Sequence, residues 1–224
     1  MSLIDLYNKI SNENIEYIKT NNVEVDKYLF EGRVDSRRGI SLIIPVTQIF
    51  KKYKELISKF LKVDPSQYYY PYEDLHITIF DFIQASINYK TDKGLEDQFI
   101  EIADEILNGT NMFNINMKGI VFSKAAGIIK GYDNNKIVPM RENIRRLLLK
   151  SKLPNDERYK SKTAHITFLR FMNNISEPTE FYELIKDFKE KEFGIEKVTK
   201  IELVEHDWYN KSDSKRIIKQ YDLF

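Results

Sequence analysis

The stretches DLHITIF, residues 74–80, and TAHITFL, residues 163–169, nearly repeat one another. The chain has 3 histidines, and two of them lie here, each followed by Ile, Thr and a large apolar residue. Successive side chains of a strand point to opposite faces. As strands, the stretches place His76 with Thr78, and His165 with Thr167, on one face, while apolar side chains occupy the other. The pattern predicts two polar pairs mounted on a buried scaffold.

Outward from these stretches, predicted strands and helices follow one another in a nearly duplicated order. Apolar spacing and turn residues predict strands over 40–47, 74–82, 113–122, 127–132, 162–171, 198–206 and 215–223. A helix is predicted over 3–20, and four more lie between the strands. Pro139 is expected to open the third of these four, and Ser176 to cap the fourth. The two histidines are 89 residues apart, which indicates an internally duplicated α+β domain.

The composition is that of a globular protein without bulk charge. Of 224 residues, 35 are basic and 34 acidic, so the formal net charge is +1. This balance excludes a protein that coats nucleic acid, and any phosphate must bind at a local site. The lack of cysteine excludes disulfides, thiolate nucleophiles and cysteine-bound metals. No stretch approaches the roughly 20 apolar residues that cross a bilayer, and no secretory signal pattern is present. We expect a cytoplasmic protein that does not contact the membrane.

Two imidazoles that face one another across a cleft can divide acid–base catalysis between them. A neutral imidazole accepts a proton from water, and a protonated one donates to a leaving oxygen. The hydroxyls of Thr78 and Thr167 can donate hydrogen bonds to the non-bridging oxygens of a phosphate. Such a set uses no metal or organic cofactor. It suits in-line attack on a phosphodiester, especially a strained cyclic one.

The motifs HITI at 76–79 and HITF at 165–168 resemble the paired His-h-Thr/Ser-h motifs (h, apolar) of the two-histidine (2H) phosphoesterase superfamily. The resemblance continues from about residue 40 to the closing strand IIKQYDLF. It implies a bilobal fold in which two β-sheets, flanked by helices, surround a central groove lined by the motif strands. It also implies that His76 and His165 are the catalytic acid–base pair and that Thr78 and Thr167 contact the phosphate. This superfamily includes bacterial 2′-5′ RNA ligases, cyclic nucleotide phosphodiesterases and RNA-end processing enzymes.

The N-terminal part departs from the simplest members of the superfamily, which lack it. We therefore predict a helical extension and linker over residues 1–38 and the 2H phosphoesterase-like domain over 39–224. The extension either covers part of the groove, which would narrow the range of substrates, or packs on the outside. Within its connection, Arg33, Arg37 and Arg38 form a small basic cluster. This cluster is either a phosphate site or part of a solvated loop.

Four further side chains call for an interpretation. Tyr72, in the run YYYPY at 68–72, and Trp208 are candidates for stacking on a nucleobase, with packing as the alternative for both. His206 is the third histidine, but the spacings do not resemble those of a metal site, so no metal is expected. Strict strand alternation places Arg170 on the face away from the second motif.

These observations favour a metal-independent phosphoesterase that opens a 2′,3′-cyclic phosphate, or a related cyclic phosphodiester, of a nucleotide or RNA end. The alternative is a binding module that holds such ends in the same groove without turnover. Either reading gives a nucleotide or RNA-end phosphodiester as the partner. The sequence leaves open the exact substrate, hydrolysis or ligation as the direction, the acid and base roles of the two histidines, and the oligomeric state.

Overall fold

The computed structural model describes residues 2–29, 35–90, 92–155, 157 and 160–224. Over these ranges the elements are α1 Leu3–Lys19, β1 Arg38–Pro45, α2 Phe50–Val63, β2 Tyr68–Tyr69, β3 His76–Ser86, α3 Lys93–Leu107, β4 Phe113–Phe122, β5 Ala126–Tyr132, α4 Ile137–Lys150, β6 Ile166–Arg170, α5 Pro178–Phe188, β7 Glu192–Val198, β8 Lys200–His206 and β9 Arg216–Asp222. A 3₁₀ turn, Tyr72–Asp74, leads into β3. Within the same ranges, no helix is both long enough and apolar enough to cross a membrane.

The strands form a curled antiparallel sheet in the order β7-β4-β5-β6-β3-β1-β8-β9, with β2 paired to β6. Its two halves, each of four strands, meet where Ile77 of β3 pairs with Ile166 of β6. The predicted α+β fold with two lobes is confirmed. The two predicted sheets are joined at this residue pair into one continuous sheet.

Four helices cover one face of the sheet. α2 packs with α5 behind one half, and α3 packs with α4 behind the other. Phe60 of α2 lies against Phe168 of β6, with ring centroids 5.6 Å apart, and Phe82 of β3 stacks on Phe99 of α3 at 4.6 Å. Both motif strands therefore bury their apolar side chains under helices. Their polar side chains lie on the other face, here called the groove face.

Some predicted boundaries and caps were wrong. The edge strand β7 was not predicted, because its burial alternates irregularly and Gly194 has a φ of +117°. Ser176 does not cap α5, which begins at Pro178; its amide and hydroxyl both donate to the carboxylate of Asp64. Pro139 is the third residue of α4 rather than its first. The spacing of apolar residues does not reveal an irregular edge strand such as β7. It also does not reveal that Ser176 bonds to Asp64 instead of capping α5.

Candidate active site

The register of the central strands brings the two motifs together. Because Ile77 pairs with Ile166 in an antiparallel ladder, His76 lies opposite Thr167, and Thr78 lies opposite His165. All four side chains are half-buried and share the groove face. Diagonal neighbours in such a ladder are about 7–8 Å apart. Each imidazole therefore has the hydroxyl of the other motif as its direct neighbour and the second imidazole on the diagonal.

A backbone carbonyl orients the ring of His76. Its Nδ1 lies 2.9 Å from the carbonyl oxygen of Asp74, which can only accept, so Nδ1 carries the hydrogen. The amide of Asn210 donates to the same carbonyl at 3.1 Å. Burial lowers the pKa of His76 to about 4, although the Asp74 carbonyl opposes this shift. At neutral pH the ring is uncharged, with its lone pair on Nε2.

His165 lies immediately before β6 and has a different environment. Its Nδ1 is 2.8 Å from the hydroxyl of Thr163, a group that can donate or accept. Burial, together with the charges of Arg141, His76 and Arg170, lowers its pKa to about 4. Both rings are neutral at pH 7 in the unliganded protein.

A buried arginine joins the two motif segments from behind. Arg141 of α4 donates to the carbonyl oxygens of Ile79 at 2.7 Å and Thr78 at 2.8 Å. It also donates to the carbonyl of Thr163 at 2.9 Å. Burial lowers its pKa to about 10, so it stays charged at neutral pH. Arg141 therefore fixes the spacing of the motifs and adds positive charge behind His165. Arg141 was not predicted as a site residue, although it continues the buried stripe of α4 formed by Ile137, Ile144 and Leu148.

Arg170 lies on the groove face, and the prediction that it faces away was wrong. Ile128 of β5 pairs with Thr167, but Gly127 pairs with Leu169, so β6 contains an irregularity at Phe168. This β-bulge reverses the alternation beyond it. Arg170 then pairs with Ala126 of β5 and with Tyr68 of β2. Its Nε donates to the hydroxyl of Tyr70 at 3.4 Å, and the charge of Asp26 acts on the guanidinium. The other N–H groups of Arg170 can bind an anion in the groove.

Comparisons with known proteins agree with this geometry. The model of the family described as "AKAP7 2'5' RNA ligase-like domain" matches residues 40–222. The chain belongs to this family. It is thereby a member of the 2H phosphoesterase superfamily, as the paired motifs predicted. A comparison with curated protein sequences gives no match.

Solved structures share the fold of this family member at low identity. TT0787 of Thermus thermophilus has a TM-score of 0.59 and 12% identity over 83% of this chain and 97% of its own. ATU0111 from Agrobacterium tumefaciens has a TM-score of 0.58 and 13% identity, with coverages of 93% and 97%. E. coli LigT complexed with 3'-AMP has a TM-score of 0.54 and 13% identity, with coverages of 84% and 98%. At these identities the similarity shows the fold.

The tyrosine run reaches the groove of this 2H domain through a residue other than the predicted one. Tyr72 lies in the 3₁₀ turn, not in β3, and its ring contacts Phe50 and Tyr53 with centroids 4.9 and 5.8 Å away. Its role in stacking stays a prediction. Tyr68, by contrast, pairs with Arg170, which places it on the groove face. Tyr68 was hidden because the short strand β2 is recognisable only from its pairing with β6.

The ring of Trp208 contacts the side chains of two arginines. The guanidinium carbons of Arg37 and Arg170 lie 4.6 and 5.7 Å from the centroid of its ring. These residues line a cavity of about 450 Å³ beside the second motif, together with Asp26 and Tyr28 of the N-terminal segment. Stacking of Trp208 on a base stays a prediction.

The predicted basic cluster divides into separate ion pairs. Arg37 is bonded to Asp35, and Arg38 to Glu205. Arg33 lies outside the described residues. As for metals, no group of three His, Cys, Asp or Glu side chains within the described ranges is placed to hold an ion. His206 instead contacts Ser41 and the carbonyl of Asp207.

Helix α1 lies on the groove face of the half of the sheet formed by β7, β4, β5 and β6. Tyr7 packs on Val121 and Ile128, and Ile128 pairs directly with Thr167. The extension therefore packs on part of this face. That it narrows the range of substrates stays a prediction.

The hydroxyl of Tyr7 ties the extension to the second motif. It donates to the carbonyl of Gly131 at 3.1 Å and accepts from the amide of Gly131 at 3.2 Å. It also lies 3.5 Å from the carbonyl oxygen of Ala164, the residue before His165. Tyr7 thus bridges β5 and the approach to β6 where their ladder ends.

Proposed function

We propose that this protein is a phosphodiesterase that opens a 2′,3′-cyclic phosphate, or a related cyclic phosphodiester, of a nucleotide or RNA end. The observation that carries the proposal is the placement of two His–x–Thr pairs opposite one another on one half-buried face. A binder needs neutral or cationic donors, but it does not need two imidazoles around one phosphate. The structurally similar LigT has been crystallised with 3'-AMP and with phosphate, which supports a nucleotide phosphate as the ligand class.

The proposed reaction is a single in-line displacement at phosphorus. Water attacks, and the neutral imidazole takes the proton that the water loses. The bond from phosphorus to one ribose oxygen breaks, and the protonated imidazole donates its proton to that oxygen. The products are a phosphomonoester and a free hydroxyl, and exchange with solvent resets the two rings. Thr78, Thr167 and the guanidinium of Arg170 donate to the non-bridging oxygens, where negative charge shifts during the displacement.

The charges around the rings suggest which imidazole has which role. Beyond burial, the cations Arg141 and Arg170 act against a proton on His165. On His76 the carbonyl of Asp74 and the charge of Asp81 act in favour of a proton, against His206 and Lys215. We therefore assign the base to His165 and the acid to His76. The negative charge of a bound phosphate favours protonation of His76, which the unliganded protein leaves neutral at pH 7.

A turnover screen tests the proposal. Cyclic 2′,3′-nucleotides, 2′-5′ dinucleotides and ADP-ribose cyclic phosphate are incubated with the protein in the presence of a chelator, and the products are separated. Hydrolysis of a cyclic phosphate, abolished in His76→Ala and His165→Ala, is the expected result. Binding of a non-hydrolysable analogue without turnover of any of these esters would favour the binding module instead.

A further inference from the structure

The third histidine belongs to a hydrogen-bonded chain on the groove face, next to the first motif. The hydroxyl oxygen of Ser41 lies 2.6 Å from Oδ1 of Asp81 and 2.7 Å from Nε2 of His206. Nδ1 of His206 lies 2.5 Å from the carbonyl oxygen of Asp207. The ring of His206 is 6.5 Å from that of His76, centroid to centroid. We call Asp81, Ser41 and His206 the proton chain.

A bulge places this chain on the groove face. Thr78 pairs with Ile43 of β1, and Asp81 pairs with Ser41. Asp81 is three positions after Thr78, whereas their partners are only two positions apart. The register shift makes both side chains point to the same face. On the other side of β1, His206 of β8 pairs with Gly39. Three adjacent strands thus bring the chain together beside His76.

The number of hydrogens in the chain is fixed by its contacts. A carbonyl oxygen can only accept, so Nδ1 of His206 carries a hydrogen. Ser41 has one hydroxyl hydrogen, and it cannot serve both the carboxylate of Asp81 and a lone pair on Nε2 of His206. One more proton must therefore be present, either on Asp81 or on His206. Burial raises the pKa of Asp81 and lowers that of His206 to about 4, which favours the proton on Asp81.

We propose that the proton chain keeps Asp81 protonated, and therefore uncharged, at neutral pH, so that Asp81 adds no negative charge beside the substrate phosphate and His76. In this state Asp81 donates to Ser41, Ser41 donates to Nε2 of His206, and His206 donates to the carbonyl of Asp207. An ionised Asp81 would repel a phosphate in the groove. It would also raise the pKa of His76. His206 is in this view a positioning residue that directs the hydrogen of Ser41 away from Asp81.

Other charged groups lie near the proton chain and affect the pKa values of its members and of His76. Arg38, Lys215 and Asp207 act on His206; Arg141, Glu157 and His76 act on Asp81; His206, Asp81 and Lys215 act on His76. His206→Phe therefore also removes the direct effect of His206 on His76. The double variant separates the two effects, because it lacks His206 as well but has no carboxylate at position 81.

The test measures the pKa of His76 by NMR in four unliganded proteins: wild type, Asp81→Asn, His206→Phe and the double variant. The side-chain amide of an asparagine can donate the same hydrogen bond to Ser41 that a protonated Asp81 donates. The pKa of His76 in Asp81→Asn is therefore expected to match that of the wild type. In His206→Phe the hydroxyl of Ser41 is released to donate to Asp81, which ionises, and the pKa of His76 is expected to rise by about 1. The double variant is expected to return it to the wild-type value.

Two results would overturn the proposal. A fall in the pKa of His76 in Asp81→Asn would show that Asp81 is ionised in the wild type. An unchanged value in His206→Phe would show that the chain does not act on His76. Should the phenylalanine variant not fold, the ¹³Cγ shift of Asp81 in the wild-type protein at pH 7 decides, since it differs between carboxyl and carboxylate. These readouts need no substrate, so they hold or fail separately from the proposed phosphodiesterase activity.

Discussion

Ile77 and Ile166 form the residue pair at which the two halves of the sheet meet, and on the other face each isoleucine is flanked by a histidine and a threonine. Two motifs that are 89 residues apart in the chain therefore become neighbours through one step of a ladder. Because the isoleucines are fully buried under the helices, the polar pairs have little freedom to move apart. This relationship is the basis of the predictions that follow.

The assignment of roles predicts that the two histidines respond differently to the leaving group. His76→Ala and His165→Ala are each expected to lower kcat about 10²- to 10⁴-fold on a cyclic phosphate. On a p-nitrophenyl ester of a nucleotide, His76→Ala should recover most of the activity, because p-nitrophenolate leaves without a proton. His165→Ala should recover none. Equal recovery by both variants would show that the roles are not divided in this way.

The low pKa of both rings predicts an acid-shifted profile for kcat/KM. The reaction needs one proton on the pair, and burial lowers both pKa values to about 4 in the unliganded protein. The singly protonated fraction therefore declines as the pH rises from 5 to 8, and kcat/KM should decline with it. The initial rates at low substrate concentration give this profile. A kcat/KM that increases over the same range would contradict the assigned protonation state.

Arg170 is expected to bind the phosphate rather than to support the fold. A hydrogen bond to a charged group contributes about 1.5–3 kcal/mol, so Arg170→Met should lower kcat/KM by roughly 10- to 100-fold. Arg170→Lys should recover part of this loss, because it keeps the charge but not the planar fork. Arg146→Met, a change at an exposed arginine of α4, serves as the control and should have no effect. Equal losses in the Met variants at 146 and 170 would argue against a specific contact.

The hydroxyl of Tyr7 is expected to stabilise the approach to the second motif. Tyr7→Phe keeps the buried ring but leaves the amide and carbonyl of Gly131 without their partner. The free energy of unfolding should fall by about 1–3 kcal/mol in a urea titration. Tyr17→Phe, on the same helix but partly exposed, is the control and should stay within about 0.5 kcal/mol of the wild type. Matching values for the two variants would show that the extension does not hold this segment.

Much of the fold was predictable because its signals are local. The alternation of His76, Ile77 and Thr78 gives the buried and the polar face of β3 directly, and the second motif does the same for β6. Arg170 and Asp81 could not be placed in this way, since bulges at Phe168 and near Ile79 reverse the alternation, and a bulge leaves no period in the sequence.

The partners of the site that come from other elements were the hardest to predict. Arg141 binds backbone carbonyls of two distant segments. Every residue has such a carbonyl, so the sequence does not indicate which ones an arginine will bind. Tyr68 reaches the groove through a two-residue strand, too short for any periodic signal. His206 was recognised as the third histidine, but its partner Ser41 lies 165 residues away. The role of a side chain whose partners are distant in the sequence can be recognised only in the folded structure.

If the two imidazoles share one phosphate, a single bound ligand must perturb both rings, and an NMR titration measures this. A nucleoside 3′-monophosphate is added to the wild-type protein while the ring resonances of His76 and His165 are followed. Both rings are expected to shift along one saturation curve, and the pKa of His76 is expected to rise in the complex. A ligand that shifts only one of the two rings, or shifts them with two separate dissociation constants, would contradict a shared phosphate.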